Sequence, residues 1–281
     1  MGQIIQDKRR ATTSEVTKGK EIPTPEHRLP QFNIMEKAVL AAEGAFRRHF
    51  LDIERMLTKK GGADSAYIQE SVDNLTQIVG TELYNTKKPV ILAPESLEEI
   101  PDEGGCWLLN PIVARRNFAA SRMPTGIRMV YMKDGKPGAV MLALPTTHEV
   151  FHAEKGQGAT GRTRLRVSGE KDINQLDVFA FIGEQPETKH KMSDILSVAE
   201  KNSFNLLISG CFAYSVCEVA AGKADALIGK NLTVGEIAFA TLMIKESGGI
   251  IKDINGDNAT MKSTDVIVGS SRNVKSILDI L

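Results

Sequence analysis

The chain has little with which to cross-link itself and no surplus charge of either sign. Three cysteines, Cys106, Cys211 and Cys217, are too few for a disulfide framework. With no apolar leader in the first residues, they fit a reducing compartment, and the expected location is the cytoplasm. Thirty-five basic and thirty-five acidic residues leave a formal net charge of zero, so no overall field gathers nucleic acid or an anionic membrane. No apolar run approaches the roughly 20 residues of a membrane span. Gln6 breaks the myristoylation pattern that Met1-Gly2 begins. Neither a membrane nor a specific nucleic-acid partner is expected.

What is present is ordinary for a globular protein: 42% hydrophobic and 25% charged residues over 281 positions. That length allows one large domain or two modest ones, with a sizeable core. Residues 1–32 are polar, carry Pro23, Pro25 and Pro30, and are expected to form an extension, leaving 33–281 as a single domain. From Ile34 through Phe46, Phe50 and Ile53, apolar residues recur at helical spacing, and a second helix is expected over 72–84. Residues 90–92 and 106–109 are strand candidates. Segments 127–132 and 139–144 flank a turn at 133–138 and predict a hairpin. A strand at 178–182 precedes helical patterns at 191–202 and 214–221. Strand 226–228, a helix at 237–246 ending at Gly248-Gly249, and strands at 250–251 and 266–268 complete the series. Strands and helices mixed without a regular βαβ rhythm predict an α+β or layered α/β fold.

Two motif matches carry less than their patterns suggest. His148-Glu149-Val150-Phe151-His152 matches H-E-x-x-H, which needs both histidines on one face of a helix and a third ligand beyond. No suitably spaced third histidine follows, and a strand and turn with two surface histidines is expected. Gly156-Gln157-Gly158-Ala159-Thr160-Gly161 matches G-x-G-x-x-G, but 162–167 alternate like a strand where a dinucleotide site needs a helix. A glycine-rich turn is expected there.

The strongest signal is distributed over five segments. His152-Ala153-Glu154-Lys155-Gly156-Gln157-Gly158-Ala159 is followed by Leu165-Arg166-Val167-Ser168. Ser209-Gly210-Cys211-Phe212-Ala213 leads into Val219-Ala220-Ala221-Gly222-Lys223-Ala224-Asp225-Ala226. Ile244 to Asp253 holds Glu246-Ser247-Gly248-Gly249. Lys60-Gly61-Gly62-Ala63-Asp64 comes early, and Trp107-Leu108-Leu109-Asn110-Pro111-Ile112 precedes Asn117-Phe118. Taken in chain order, over about residues 34–281, the set resembles the inositol monophosphatase family. The resemblance implies an αβαβα sandwich of the inositol and sugar phosphatase type, a homodimer, and a cage of carboxylates for magnesium, a hard cation that wants charged oxygen ligands in octahedral geometry.

This sequence departs from the family where the cage is expected. The family's Asp-Pro-Ile-Asp-Gly-Thr is Asn110-Pro111-Ile112-Val113-Ala114-Arg115: a neutral oxygen, then a valine that coordinates nothing, then a guanidinium in place of a water-orienting threonine. Gly-Glu-Glu-Ser becomes Ala93-Pro94-Glu95-Ser96. Trp-Asp-x-Ala becomes Gly235-Glu236-Ile237-Ala238. An acid that contacts an inositol hydroxyl in some members maps onto Gly229, and a further acid falls on either Glu70 or Asp73. Vestigial site positions are therefore Glu95, Asn110, Ile112, Val113, Arg115 and Glu236, and no catalytic residue or metal is expected. Arg115 or Arg116 is expected to supply the lost positive charge by turning toward Glu95 or Glu236. Arg115, Arg116, Gly210, Cys211 and Phe212 are candidate contacts for a small anionic ligand. The expected function is that of an inactive relative acting by ligand or partner binding. The alternatives are a divergent magnesium-dependent phosphatase of a small phosphate monoester, with the ion on Glu95, Asn110 and Glu236, and a zinc hydrolase using His148 and His152.

Overall fold

A computed structural model describes residues 30–60, 64–94, 96–169, 172–183 and 192–281, with Lys60, Met192 and Asp194 described by backbone alone. Two long helices come first among the described residues, α1 (Pro30–Lys60) and α2 (Ser65–Tyr84). α1 buries Phe32, Met35, Ala38, Val39, Ala42, Phe46 and Ile53, an i, i+3, i+4 stripe that makes the helix one-sided. Asp64 caps α2 by accepting from the Ala66 N–H at 2.9 Å, which starts that helix seven residues before the expected position.

Next comes a six-stranded sheet in simple spatial order: β1 (Val90–Leu92), β2 (Gly105–Val113), β3 (Gly126–Lys133), β4 (Lys136–Leu144), β5 (Glu149–Glu154) and β6 (Gly158–Thr160). The short helix α3 (Arg115–Ala119) lies between β2 and β3. The β3–β4 turn is tighter than the six residues expected. Asp134 and Gly135 both take positive φ, 50° and 67°, which suits a two-residue hairpin turn and lets the strands run on. His148 to His152 form no helix: His148 has φ 55° and the rest belongs to β5. Gly156 and Gly158 sit at positive φ around the β5–β6 turn, as expected of a glycine-rich turn.

A second sheet has the order β10-β11-β9-β7-β8, with β7 (Asp177–Ile182), β8 (Asn205–Leu207), β9 (Ala226–Lys230), β10 (Ile250–Asp253) and β11 (Val266–Gly269). Helices α4 (Met192–Asn202), α5 (Phe212–Ala220), α6 (Val234–Glu246) and α7 (Ser271–Leu278) complete the fold. Three apolar clusters define five layers. Trp107, Leu109, Met129 and Met141 meet α1 and α2, while Leu108, Val130, Val140 and Leu142 point the other way toward α5 and α6. The outer face of the second sheet packs Ile228 and Ile267 against Ile195 of α4 and Ile277 of α7. The result is the αβαβα sandwich. α6 is buried nearly all round, so it sits between the sheets, and its N-terminus meets the ends of β1 and β2.

Candidate functional site

The site lies where β1, β2 and α6 converge. Ala93 leaves β1 with φ 39°, its N–H donating to Leu109 O at 2.8 Å, and Pro94 is buried behind it. Glu95 lies outside the described residues. On β2, Asn110 is half-buried, and a register shift follows it, so Ile112 and Val113 end in the apolar core. The Val113 carbonyl accepts from Thr125 Oγ1 at 2.7 Å, which ties the strand end down. Ala114 then adopts φ 54°, ψ 55°, and this left-handed residue turns the chain into α3.

Arg115 points away from the convergence point. Its Nη2 donates to Gln69 Oε1 at 2.7 Å, and Gln69 Nε2 donates to Asp73 Oδ1 at 2.8 Å. Of the two acids proposed on α2, Asp73 is thus linked to Arg115, while Glu70 is exposed. Arg116 is also exposed. Asn117 is buried, and its Nδ2 donates to both Pro124 O and Ser209 O at 3.0 Å, clamping the loop that carries Gly210. Gly210 needs its φ of 70°, and a Cβ there would stand 3.1 Å from Asn117 Oδ1. Cys211 and Phe212 are core residues; burial pushes the Cys211 thiol up to about 12. At Gly229 an added Cβ would lie 2.8 Å from Phe212 Cε2 and 3.0 Å from Leu232 Cδ1, so packing has taken the space an acid would need.

Glu236 serves its own helix. Its Oε2 accepts from Thr233 N at 2.9 Å and from Thr233 Oγ1 at 3.1 Å, and Thr233 caps α6 in return. One carboxylate oxygen is therefore committed to the N-terminus of α6.

A residue passed over in the sequence reading carries the charge here. Arg128 on β3 is the direct cross-strand partner of Asn110, so its side chain leaves the sheet on the α6 side. It is 4% exposed. A Cβ on Gly235 would stand only 2.9 Å from its Nη2, and 3.8 Å from Pro94 Cδ, which places the guanidinium against the first turn of α6 beside Pro94. Burial lowers the Arg128 pKa, and the nearby Glu236 carboxylate opposes that shift. Among the described residues no hydrogen bond or ion pair reaches its guanidinium within normal distances. Its visible signal was a charge inside the apolar strand Ile127-Arg128-Met129-Val130-Tyr131. The oxygen donors left in the described part of the site are the Asn110 amide and the partly committed Glu236. Among the described residues no group of three or more His, Cys, Asp or Glu side chains is arranged to hold a metal ion.

Fold and site together define the class: a layered α/β protein of the inositol and sugar phosphatase type, with an arginine and apolar side chains at the convergence of β1, β2 and α6. The chain belongs to the inositol monophosphatase family, which matches over residues 33–280. It is 25% identical over 252 residues to the Nus factor SuhB of Vibrio cholerae, covering 89% of this chain and 94% of that one. To an inositol-1-monophosphatase of Rhizobium meliloti it is 24% identical over 266 residues, covering 89% and 95%. Among solved structures, an inositol monophosphatase from Anabaena superposes with a TM-score of 0.75 at 15% identity, covering 90% of this chain and 95% of that one.

Proposed function

We propose that this chain is a catalytically silent member of its family that acts by binding a protein partner. The observation that supports it most is Arg128, a buried guanidinium set between Asn110 and Glu236 where the family resemblance puts magnesium. A fixed cation repels a second one, and the remaining donors are one neutral amide and one carboxylate shared with a helix cap, a poor set for an octahedral dication. The buried Val113 leaves no bridging carboxylate. No magnesium is therefore needed for folding or function, and no hydrolytic step is assigned to these residues. Several relatives bear the name Nus factor SuhB, and the proposal takes a partner-binding role from that name. Among the described residues no helix is long and apolar enough to cross a membrane. The reading includes a homodimer, supported by the exposed Met123 and Ile208, which flank the two carbonyls that Asn117 clamps.

The test is a calorimetric titration with magnesium chloride, run beside an assay of inositol monophosphate hydrolysis. No binding heat and no turnover above background are expected. Turnover that disappears in Glu236→Ala would overturn the proposal.

A further inference from the structure

The C-terminal end of α6 gathers positive charge from three segments of the chain. Glu246, the last residue of that helix, accepts from Gly156 N at 2.8 Å and from Gly158 N at 2.9 Å, which fixes the glycine turn between β5 and β6 against it. Lys155 belongs to that turn, and Lys245 precedes Glu246. Residues 164–167 run beside them: Leu165 N donates to Ala159 O at 2.8 Å and Val167 N to Ser247 O at 3.1 Å. Leu165 is buried and Val167 half-buried, so Arg164 and Arg166 leave this alternating stretch on the solvent side. The Arg164 guanidinium lies against Gly158, where an added Cβ would stand 2.8 Å from its Nη2.

Lys155, Arg164, Arg166 and Lys245 are all exposed, and among the described residues none of the four has an ion pair. Glu246 is the acid at their centre, and both its oxygens are engaged by the glycine turn. In salt, charge acts over about 10 Å rather than over a whole chain. A local positive surface therefore coexists with a formal net charge of zero. α6 has 13 residues and is about 20 Å long, so this surface is separate from Arg128 at the other end, and neither depends on the other.

We propose that this surface binds the phosphate backbone of a nucleic acid without reading its sequence. A protein partner would want an apolar centre, and none of the exposed large hydrophobic residues lies on these segments. A phosphate backbone needs none, because cations that displace its condensed counterions supply the binding. Arg164 and Arg166 are alternate residues of an extended stretch, about 6.6 Å apart along it, so they meet two phosphates rather than one. The planar guanidinium fork also suits phosphate oxygens. Gly156 and Gly248 keep the surface low, since nothing lies within 4 Å of a Cβ built on either, and a backbone can come close. Residues 154–168 and 244–249 hold no Phe, Tyr or Trp on which bases could stack, so contact is with phosphate alone.

Fluorescence anisotropy of a labelled oligothymidylate with the full chain, repeated over a series of salt concentrations, tests this. Binding is expected at low salt, with log K falling against log salt at a slope of about −2.8, as four cations on a single strand require. Arg164→Ala with Arg166→Ala should reduce the slope to about −1.4, and Lys155→Ala with Lys245→Ala, on the other two segments, should do the same. Arg164→Lys with Arg166→Lys keeps the charge and the slope. Lys133→Ala with Lys136→Ala, exposed lysines around the β3–β4 turn, also leaves it unchanged. No binding at low salt, or a slope that neither alanine pair moves, overturns the proposal. Oligoglutamate of equal charge bound as tightly as the strand also overturns it, and assigns the surface to an acidic protein.

Discussion

Asn110 and Arg128 face each other across β2 and β3, the amide where the family resemblance expects a metal-binding carboxylate and the guanidinium beside it. Directly opposed residues in an antiparallel pair project from the same face, so one register sets both side chains under α6. Gly235 completes the arrangement, since any side chain there would displace the guanidinium. Arg128 thus lies on the strand next to Asn110, whereas Arg115, next to the altered motif in sequence, donates to Gln69 on α2.

If Arg128 excludes the dication, restoring carboxylates alone will not restore binding. Asn110→Asp with Val113→Asp is expected to bind no magnesium by calorimetry and to lose several kcal/mol of stability from burying unpaired acids. Adding Arg128→Ala is expected to produce millimolar affinity and a melting temperature that rises with magnesium. An ion at 100 times its Kd stabilises by about 2.7 kcal/mol. Binding by the double variant would show that Arg128 is no barrier.

Arg128→Met replaces a buried cation that has no close partner among the described residues by an apolar chain of similar length. Because such burial is costly, urea unfolding should show no loss, or a gain of about 1–3 kcal/mol. A loss larger than that would mean the guanidinium is strongly held.

Glu236 closes a capping box with Thr233. Glu236→Ala should lower stability by about 1–2 kcal/mol, whereas Glu236→Gln keeps an acceptor for the Thr233 N–H and should cost less. Equal losses in both variants would assign the effect to charge beside Arg128 instead of to the cap.

Burial raises the thiol pKa of Cys211 to about 12, from 9.0, and raises that of Cys217 well above 9.0. A group whose folded pKa is raised adds stability below its unfolded value and loses it as pH climbs toward the folded one. Stability should therefore fall above pH 9, by about 1.4 kcal/mol per unit for each such thiol. Cys211→Ala should flatten the decline between pH 9 and 11 in urea melts taken at each pH.

At Gly229 the family acid cannot be reinstated without moving Phe212 and Leu232. Gly229→Asp should destabilise by about 1–3 kcal/mol, as overpacking does, and should confer no affinity for inositol phosphates. A stable variant that binds such a ligand would show the pocket to be open.

Much of the fold was legible because local period and turn chemistry agree with it. The stripe on α1, the Asp134-Gly135 turn and the Gly248-Gly249 stop after α6 each have a short-range cause. α7 was missed although Ser270 caps it and Val274 and Ile277 are apolar, because about two turns give too few repeats to stand out. The β3–β4 strands run longer than expected for the same kind of reason: two residues with positive φ close a turn that the sequence spreads over six polar or glycine-rich positions.

The residues by themselves determined the family, the sandwich and the loss of carboxylates, since those depend on order and residue type along the chain. Which arginine stands beside Asn110 was decided only in three dimensions. An arginine in an apolar strand is visible in the sequence, but the face it leaves from depends on the strand's pairing register. Whether it has room depends on Gly235, 107 positions later in the chain. Arg115 and Arg116, adjacent to the lost motif in sequence, were the natural candidates for the same role, yet the left-handed turn at Ala114 carries Arg115 out toward α2. Register and packing join residues far apart in sequence, and no local pattern encodes that distance.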